Sequence, residues 1–423
     1  MPRVIPFDSD YIQKVLKRIK KKNDQVKQIV LGNYSSERYR DIVVFNSSNS
    51  DDFSTLGRLI GKNTHLTKLS VKEDNLIALD ASNRDFYDGL TRNSSINDLF
   101  LSNRRLLGEV AEGILRVYKE NNSLTRLVIV GANLRNGSGH TTLVTTLQRC
   151  TNLIQISLSS CNINDEILLP IVEAIRGRTS LEKLNLNNNR IRSAGSTALA
   201  ALLEDTNCNV THLHLNQNRI DNEGMTAIAN SLANNTSLRT LDLHHNSISS
   251  KEPFCNVLCN TTSINSIYSS NHTLENLMLY PGNLSNREGP ELQSLLKMNK
   301  TKNKRQVAIR KVLKYNPNMD MEPYFADWIS DDEQTLKGLP YVLALFEKAN
   351  ESYKGGPKKL SAIYQFTRAM PLSFAAATSF VVEGKKKRKR GYDYLGKGYK
   401  FDKELKSATD DLATAWEKIE SSI

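Results

Sequence analysis

Cysteine is scarce in this 423-residue chain: Cys150, Cys161, Cys208, Cys255 and Cys259 are the five present, unevenly spaced and odd in number. That pattern excludes a disulfide framework and leads us to expect reduced thiols in an intracellular protein. Cys255 and Cys259 fall four apart on a predicted helix, yet no second Cys or His pair stands near them to complete a zinc site. No uninterrupted apolar run approaches the roughly eighteen residues of a membrane span. The opening MPRVIPFDSDYIQKVLKRIKKKN also lacks the apolar core and small-residue cleavage site of a secretory signal.

Catalytic signatures are missing too. There is no H-E-x-x-H, no paired C-x-x-C and no G-x-S-x-G elbow, and GRLIGKN from Gly57 has the wrong spacing for a phosphate loop, with Asn63 where Ser or Thr is needed. No enzyme activity, cofactor or bound metal is therefore expected. Asn-x-Ser/Thr triplets at Asn93, Asn235 and Asn260 read as coincidences of an Asn-rich sequence.

Apolar residues make up 39% of the chain and charged residues 24%, enough for a sizeable core in an ordinary globular class. The formal charge of +12 belongs to the flanks. Residues 1–28 carry eight basic against three acidic side chains, residues 295–315 eight against none, and residues 381–400 eight against two. Residues 29–294, with 24 basic and 26 acidic side chains, are close to neutral.

What fills that neutral body is an internal repeat. A block of apolar, two variable, apolar, variable, apolar residues recurs as LTKLSVKEDNL from Leu66, INDLFLSNRRL from Ile96, LTRLVIVGANL from Leu124, LIQISLSSCNI from Leu153, LEKLNLNNNRI from Leu181, VTHLHLNQNRI from Val210 and LRTLDLHHNSI from Leu238. Degenerate copies begin at Val26 and Leu274. Period two around Leu184 and Leu186 predicts a strand with one buried face, and segments such as SAGSTALAALLED after Ile191 predict a following helix. Strand then helix in every unit requires crossover connections, hence a parallel sheet with helices on one side. Strands about 4.8 Å apart set against helix axes about 8–10 Å apart make the sheet side the shorter one, so the array should curve.

From Ile96 to Leu238 the blocks start 28, 29, 28, 29 and 28 residues apart. This resembles the alternating repeats of the ribonuclease-inhibitor class of leucine-rich repeats, over about two thirds of the chain. The resemblance implies an α/β horseshoe solenoid, sheet concave and helices convex, followed by a small helical C-terminal region. We expect an N-terminal capping helix in 1–25, the solenoid in 26–300, the helical region in 301–380, a basic linker in 381–400 and a closing helix in 401–423. The ninth-position Asn189, Asn218 and Asn246 should turn inward and satisfy backbone groups of the turn leaving each strand.

Side chains between and beside the paired apolar positions should form columns on the concave face, offering Phe100, Arg126, Gln155, Lys183, Asn185, Asn187, His212, His214, Asn216, Asp242, His244 and Tyr280 to a partner. No charge sign dominates, which suits a folded protein partner better than a phosphate track. His212, His214 and His244 should share a face with Asp242, where a metal or a pH-sensitive contact is conceivable beside plain contact chemistry.

The expected function is a non-enzymatic scaffold or adaptor in nucleus or cytoplasm. Lys385, Lys386, Lys387, Arg388, Lys389 and Arg390 look like a single-cluster import signal for importin, or a secondary nucleic-acid contact. A second reading resembles the Ran-activating repeat proteins, GTPase activators that use an arginine and asparagines at one rim. Arg190 and Arg219 with Asn189 and Asn218 stand nearest to that pattern, while the basic tail departs from the acidic one usual there.

Overall fold

The structure is a computed structural model, and it describes residues 9–20, 26–32, 42–72, 79–80, 83–102, 109–120, 122–135, 138–279 and 289–315. The expected helical region beyond residue 315, the basic linker and the closing helix lie outside the described residues. The chain divides into two units, Met1–Leu258 with Asn271–Lys300, and Cys259–Ser270 with Thr301–Ile423.

In the first unit, strands β1 (Gln28–Leu31), β2 (Ile42–Phe45), β3 (Lys68–Lys72), β4 (Asp98–Ser102), β5 (Arg126–Val130), β6 (Gln155–Ser159), β7 (Lys183–Asn185), β8 (His212–His214), β9 (Thr240–Asp242) and β10 (Asn276–Met278) form one ten-stranded sheet. Every pairing is parallel. Helices α1 (Ser9–Lys20), α2 (Ser50–Lys62), α3 (Arg84–Arg92), α4 (Glu109–Glu120), α5 (Gly139–Arg149), α6 (Asp165–Ile175), α7 (Ser193–Glu204), α8 (Asn222–Ser231) and α9 (Glu252–Leu258) alternate with the strands, and the last helix of this unit is α11 (Pro290–Asn299). This is the α/β solenoid that the repeat implies. The second unit contributes α10 (Ile264–Tyr268) and α12 (Lys304–Tyr315), which pack on each other and bury Ile267, Val307, Ala308 and Val312.

Each repeat buries the residues its period predicts. In β6, Ile156 and Leu158 are fully buried, while Gln155 and Ser159 on the opposite face are partly open. Leu184, Leu186, Ile191, Leu199 and Leu203 repeat the arrangement one unit later. Each such leucine contributes about 1.5–3 kcal/mol by leaving water, so stacking units supplies the core that no single repeat has.

The turns are held by buried carboxamides. Asn189 Oδ1 accepts from the backbone N–H of Cys161 and Ile163, both at 3.0 Å, while its Nδ2 donates to the carbonyls of Leu158 and Leu186. Asn218 and Asn246 repeat this, accepting from Ile191 and Ile220 respectively. In the preceding repeat Cys161 stands at the same position, its thiol donating to the carbonyls of Ile129 and Ser159.

A second set sits three residues before the first apolar position, where helix returns to strand. Asn93 Oδ1 accepts from Ser95 and Ile96 N–H and its Nδ2 donates to the Ile60 and Asn63 carbonyls, each at 2.7 Å. Asn63, Asn235 and Asn271 bind the two N–H groups after them in the same way. The asparagines that open the triplets at Asn93 and Asn235 are both buried and serve the turn. Where Arg178 takes this position, its guanidinium instead donates to the Leu147 and Cys150 carbonyls at the end of α5.

The sheet's opening end departs from simple succession. Its order is β10-β9-β8-β7-β6-β5-β4-β3-β1-β2, so the chain leaves β1 for the outer edge and then returns to β3. The IVVF strand β2 was not evident as a repeat. Its Val43, Val44 and Phe45 are buried, and Phe45 meets Phe53 edge-to-face at 5.3 Å, as Phe53 meets Phe86 at 6.2 Å. Helix α1 buries Ile12, Val15, Leu16 and Ile19, and Tyr11 Oη donates to the Val44 carbonyl at 3.3 Å.

Gly57 belongs to a helix contact. A Cβ built on Gly89 of α3 would lie 1.9 Å from the Gly57 carbonyl oxygen of α2, so these helices pack backbone to backbone. Gly89→Ala should therefore cost about 1–3 kcal/mol through overpacking, read as a lowered urea midpoint at unchanged slope. A midpoint equal to that of the native chain would show that the helices separate freely.

Candidate functional site

The helices cover one face of the sheet, and the register aligns the other into columns. Lys68, Asp98, Arg126, Gln155, Lys183, His212, Thr240 and Asn276 stand side by side. Ser70, Phe100, Val128, Ser157, Asn185, His214, Asp242 and Met278 form the column next to them. Period two and the buried partner face make this register hard to slip, because a one-residue shift would carry every core leucine to solvent.

Neighbouring strands link the first column crosswise. Arg126 donates to both carboxylate oxygens of Asp98, at 2.8 and 3.0 Å, and to Gln155 Oε1 at 3.3 Å. Lys68 approaches the same carboxylate at 3.7 Å. Asp98 is thus the organising anion of this half, a role that becomes visible only when the columns are laid side by side. Phe100 is half-buried beside Val128, and Lys183 is exposed. Two exposed apolar groups were not among the expected contacts: Met278 at the end of its column and Ile154, one residue ahead of β6.

The other half gathers around Asp242. Asn216 Nδ2 donates to its Oδ2 at 2.8 Å, and His214 Nδ1 lies 3.8 Å from that oxygen. His244 binds Oδ1 through its ring nitrogen and its backbone N–H. His212 stacks on His214 with ring centroids 6.5 Å apart and meets Thr211 Oγ1 at 2.8 Å. The face shared by the three histidines and Asp242 is found, but the carboxylate differs from expectation: Asp242 is only 4% exposed and lies beneath its neighbours. Burial favours its neutral form, yet the nearby His214 ring, the hydrogen bonds from His244 and Asn216 and the His244 charge outweigh that and hold its pKa at about 2. For His212, burial first and then the Lys183 charge push the imidazole pKa down. Among the described residues no group of three or more His, Cys, Asp or Glu side chains is placed to hold a metal ion.

Asn185 Oδ1 accepts from Asn187 N–H at 2.9 Å, and Asn187 Oδ1 from Asn216 N–H at 3.0 Å, so both carboxamides brace the strand ends. At the turn rim Arg190 and Arg219 are exposed, whereas Asn189 and Asn218 are buried with their carboxamides bound to backbone. Those two asparagines are turn residues, which removes half of the pattern suggested by the Ran-activating resemblance. Tyr280 and the run Lys385 to Arg390 lie outside the described residues.

A carboxylate held down in this way stabilises the fold fully above its ordinary pKa of 3.8 and loses that contribution as pH falls towards 2. Asp242→Asn should cost about 1–3 kcal/mol at neutral pH by leaving donors unmatched. In denaturant titrations the gap to the native chain should hold steady down to pH 4 and shrink below it. A gap of constant size from pH 7 to pH 2 would contradict the assignment.

The family described as Leucine Rich repeat matches residues 149–172, 178–200, 206–229 and 234–251. No curated protein matches the chain. Among solved structures, a leucine-rich-repeat-containing protein from Legionella pneumophila is 15% identical, covering 75% of this chain and 98% of its own, with a TM-score of 0.37. An internalin from Listeria monocytogenes is 16% identical, covering 64% and 88%, at 0.33. An actin-binding segment of leiomodin-1 is 21% identical, covering 37% and 86%, at 0.30. The four matched repeats fall on β6–α6, β7–α7, β8–α8 and β9, within the strand and helix units built above from the residues themselves, and the chain is a leucine-rich-repeat protein.

Proposed function

We propose that this protein is a non-catalytic scaffold that docks one folded protein on the open face of its sheet, between Phe100 on β4 and Asp242 on β9. Leucine-rich repeats typically mediate protein–protein interaction, and stacked repeats present extended binding surfaces. The observation that carries the reading is the make-up of that face. Asp98, Arg126 and Asp242 are held in place by neighbours on the same face, leaving Phe100, Lys183 and His212 between them as contact groups. A surface whose rotamers are already fixed loses little conformational entropy on docking. The basic run at 385–390 is proposed as the importin-read signal that distributes the chain between nucleus and cytoplasm.

Proximity labelling in cells with the full chain supplies candidate partners, and purified pairs then decide. Lys183→Glu combined with His212→Ala should weaken a direct partner by about tenfold or more, as loss of central contacts does. Glu204→Lys, on the exposed side of α7, should leave the affinity within about twofold. Equal binding by the sheet-face double variant, or a loss only with Glu204→Lys, would move the interface off the sheet.

A further inference from the structure

The turn rim carries a cavity of about 440 Å³ lined chiefly by Asn133, Ser160, Asn162, Asn188, Arg190 and Arg219. It lies wholly within the first unit, at the carboxyl ends of β5 to β8. None of its lining residues is acidic, apolar or aromatic.

Arg190 and Arg219 follow the ladder asparagines Asn189 and Asn218 at equivalent positions of adjacent repeats. Their backbone N–H groups donate to the Ile163 and Ile191 carbonyls at 2.7 and 2.9 Å, which fixes the base of each side chain. Neither guanidinium has a carboxylate partner among the described residues. Arg58, Arg116, Arg126, Arg176 and Arg239 sit within ion-pair distance of one, whereas Arg149 and Arg192 also stand without; Arg190 and Arg219 differ in lining a single cavity together. Two neighbouring positive groups without a counter-charge repel each other, and an anion between them removes that cost.

The neutral lining is already braced. Asn162 Nδ2 donates to Asn133 Oδ1 at 2.8 Å, and Asn188 Nδ2 to Ser160 Oγ at 2.9 Å. Ser160, Asn162 and Asn188 all take left-handed backbone angles, with φ of 59°, 56° and 53°. Asn162 Oδ1 is buried and has no hydrogen-bond partner among the described residues.

We propose that this rim cavity is a phosphoryl-binding site, taking a phosphate monoester between the Arg190 and Arg219 guanidiniums. A phosphate monoester carries about −1.5 to −2 charges at neutral pH, which two guanidiniums balance, whereas a single carboxylate leaves one of them unmatched. The planar N–H fork of arginine pairs bidentately with phosphate oxygens. The absence of an aromatic ring leaves no stacking platform for a nucleobase. The site stands apart from the sheet face, so it does not rest on the docking proposed there.

Isothermal titration calorimetry on the full chain, in low-salt buffer, tests this with a Gly-Gly-phosphoserine-Gly-Gly peptide, its unphosphorylated form and inorganic phosphate. The phosphopeptide should bind saturably and the unphosphorylated peptide should not. Arg190→Ala with Arg219→Ala should weaken binding by about tenfold or more, and the paired Lys replacements should fall between, as loss of the bidentate fork demands. Arg192→Ala, which removes an exposed charge from a residue outside the cavity lining, should change affinity by less than about twofold. Melting by circular dichroism confirms that each variant folds. Inorganic phosphate binding as tightly as the phosphopeptide would keep the phosphoryl site and assign the free ion as its occupant. No saturable binding by either phosphate probe, unchanged binding in the double alanine variant, or an equal loss in Arg192→Ala would overturn the proposal.

Discussion

Everything in the solenoid depends on one small exchange: a buried carboxamide gives its two N–H groups to carbonyls and takes two backbone N–H groups in return. A turn between strand and helix strands polar backbone groups in an apolar interior, where an unmet group costs about 1–3 kcal/mol. Asn189 answers that demand on both sides at once, reaching back to Leu158 and Cys161 in the repeat before its own. The same side chain therefore closes a turn and fastens two repeats. Asn93 and Asn271 do this at the opposite end of the unit, so each repeat can be pinned at both of its corners. The leucines supply most of the free energy, but the carboxamides set where the chain bends and hence which residues share a column.

How much of this could be read beforehand follows from which interactions are periodic. Strands, helices and columns came from the apolar period alone, since one face of every strand must avoid water. The ninth-position asparagines were legible because they recur in register with the leucines. The second set was not, because its place is filled variously by Asn63, Cys150, Arg178 and Asn235, and a pattern met by three chemistries does not look like a pattern. Strand β2 escaped for a related reason: it is an insertion at the edge, between β1 and the helix that leads to β3, and repeats nothing.

The candidate site shows the limit more sharply. Columns could be drawn from the sequence, yet the depth of each side chain within them could not. Asp242 was expected among the contacts and is instead their buried support, because His214, Asn216 and His244 come from two repeats and close over it. Its ionised state is what those donors select. Arg190 and Arg219 look alike in any repeat alignment. Their distinction from the paired arginines lies in what is absent around them, and only the three-dimensional arrangement reveals it.

The corner asparagines carry a consequence for covalent processing. Asn93 spends both of its amide hydrogens, one on Ile60 and one on Asn63, inside a corner where it is only 2% exposed. A sugar attached to that nitrogen would replace one of these hydrogens and push a bulky, hydrated chain into the space between two repeats. Glycan attachment at Asn93 and completion of the solenoid therefore exclude one another: a chain that folds first shields the acceptor, and a chain modified first cannot close that corner.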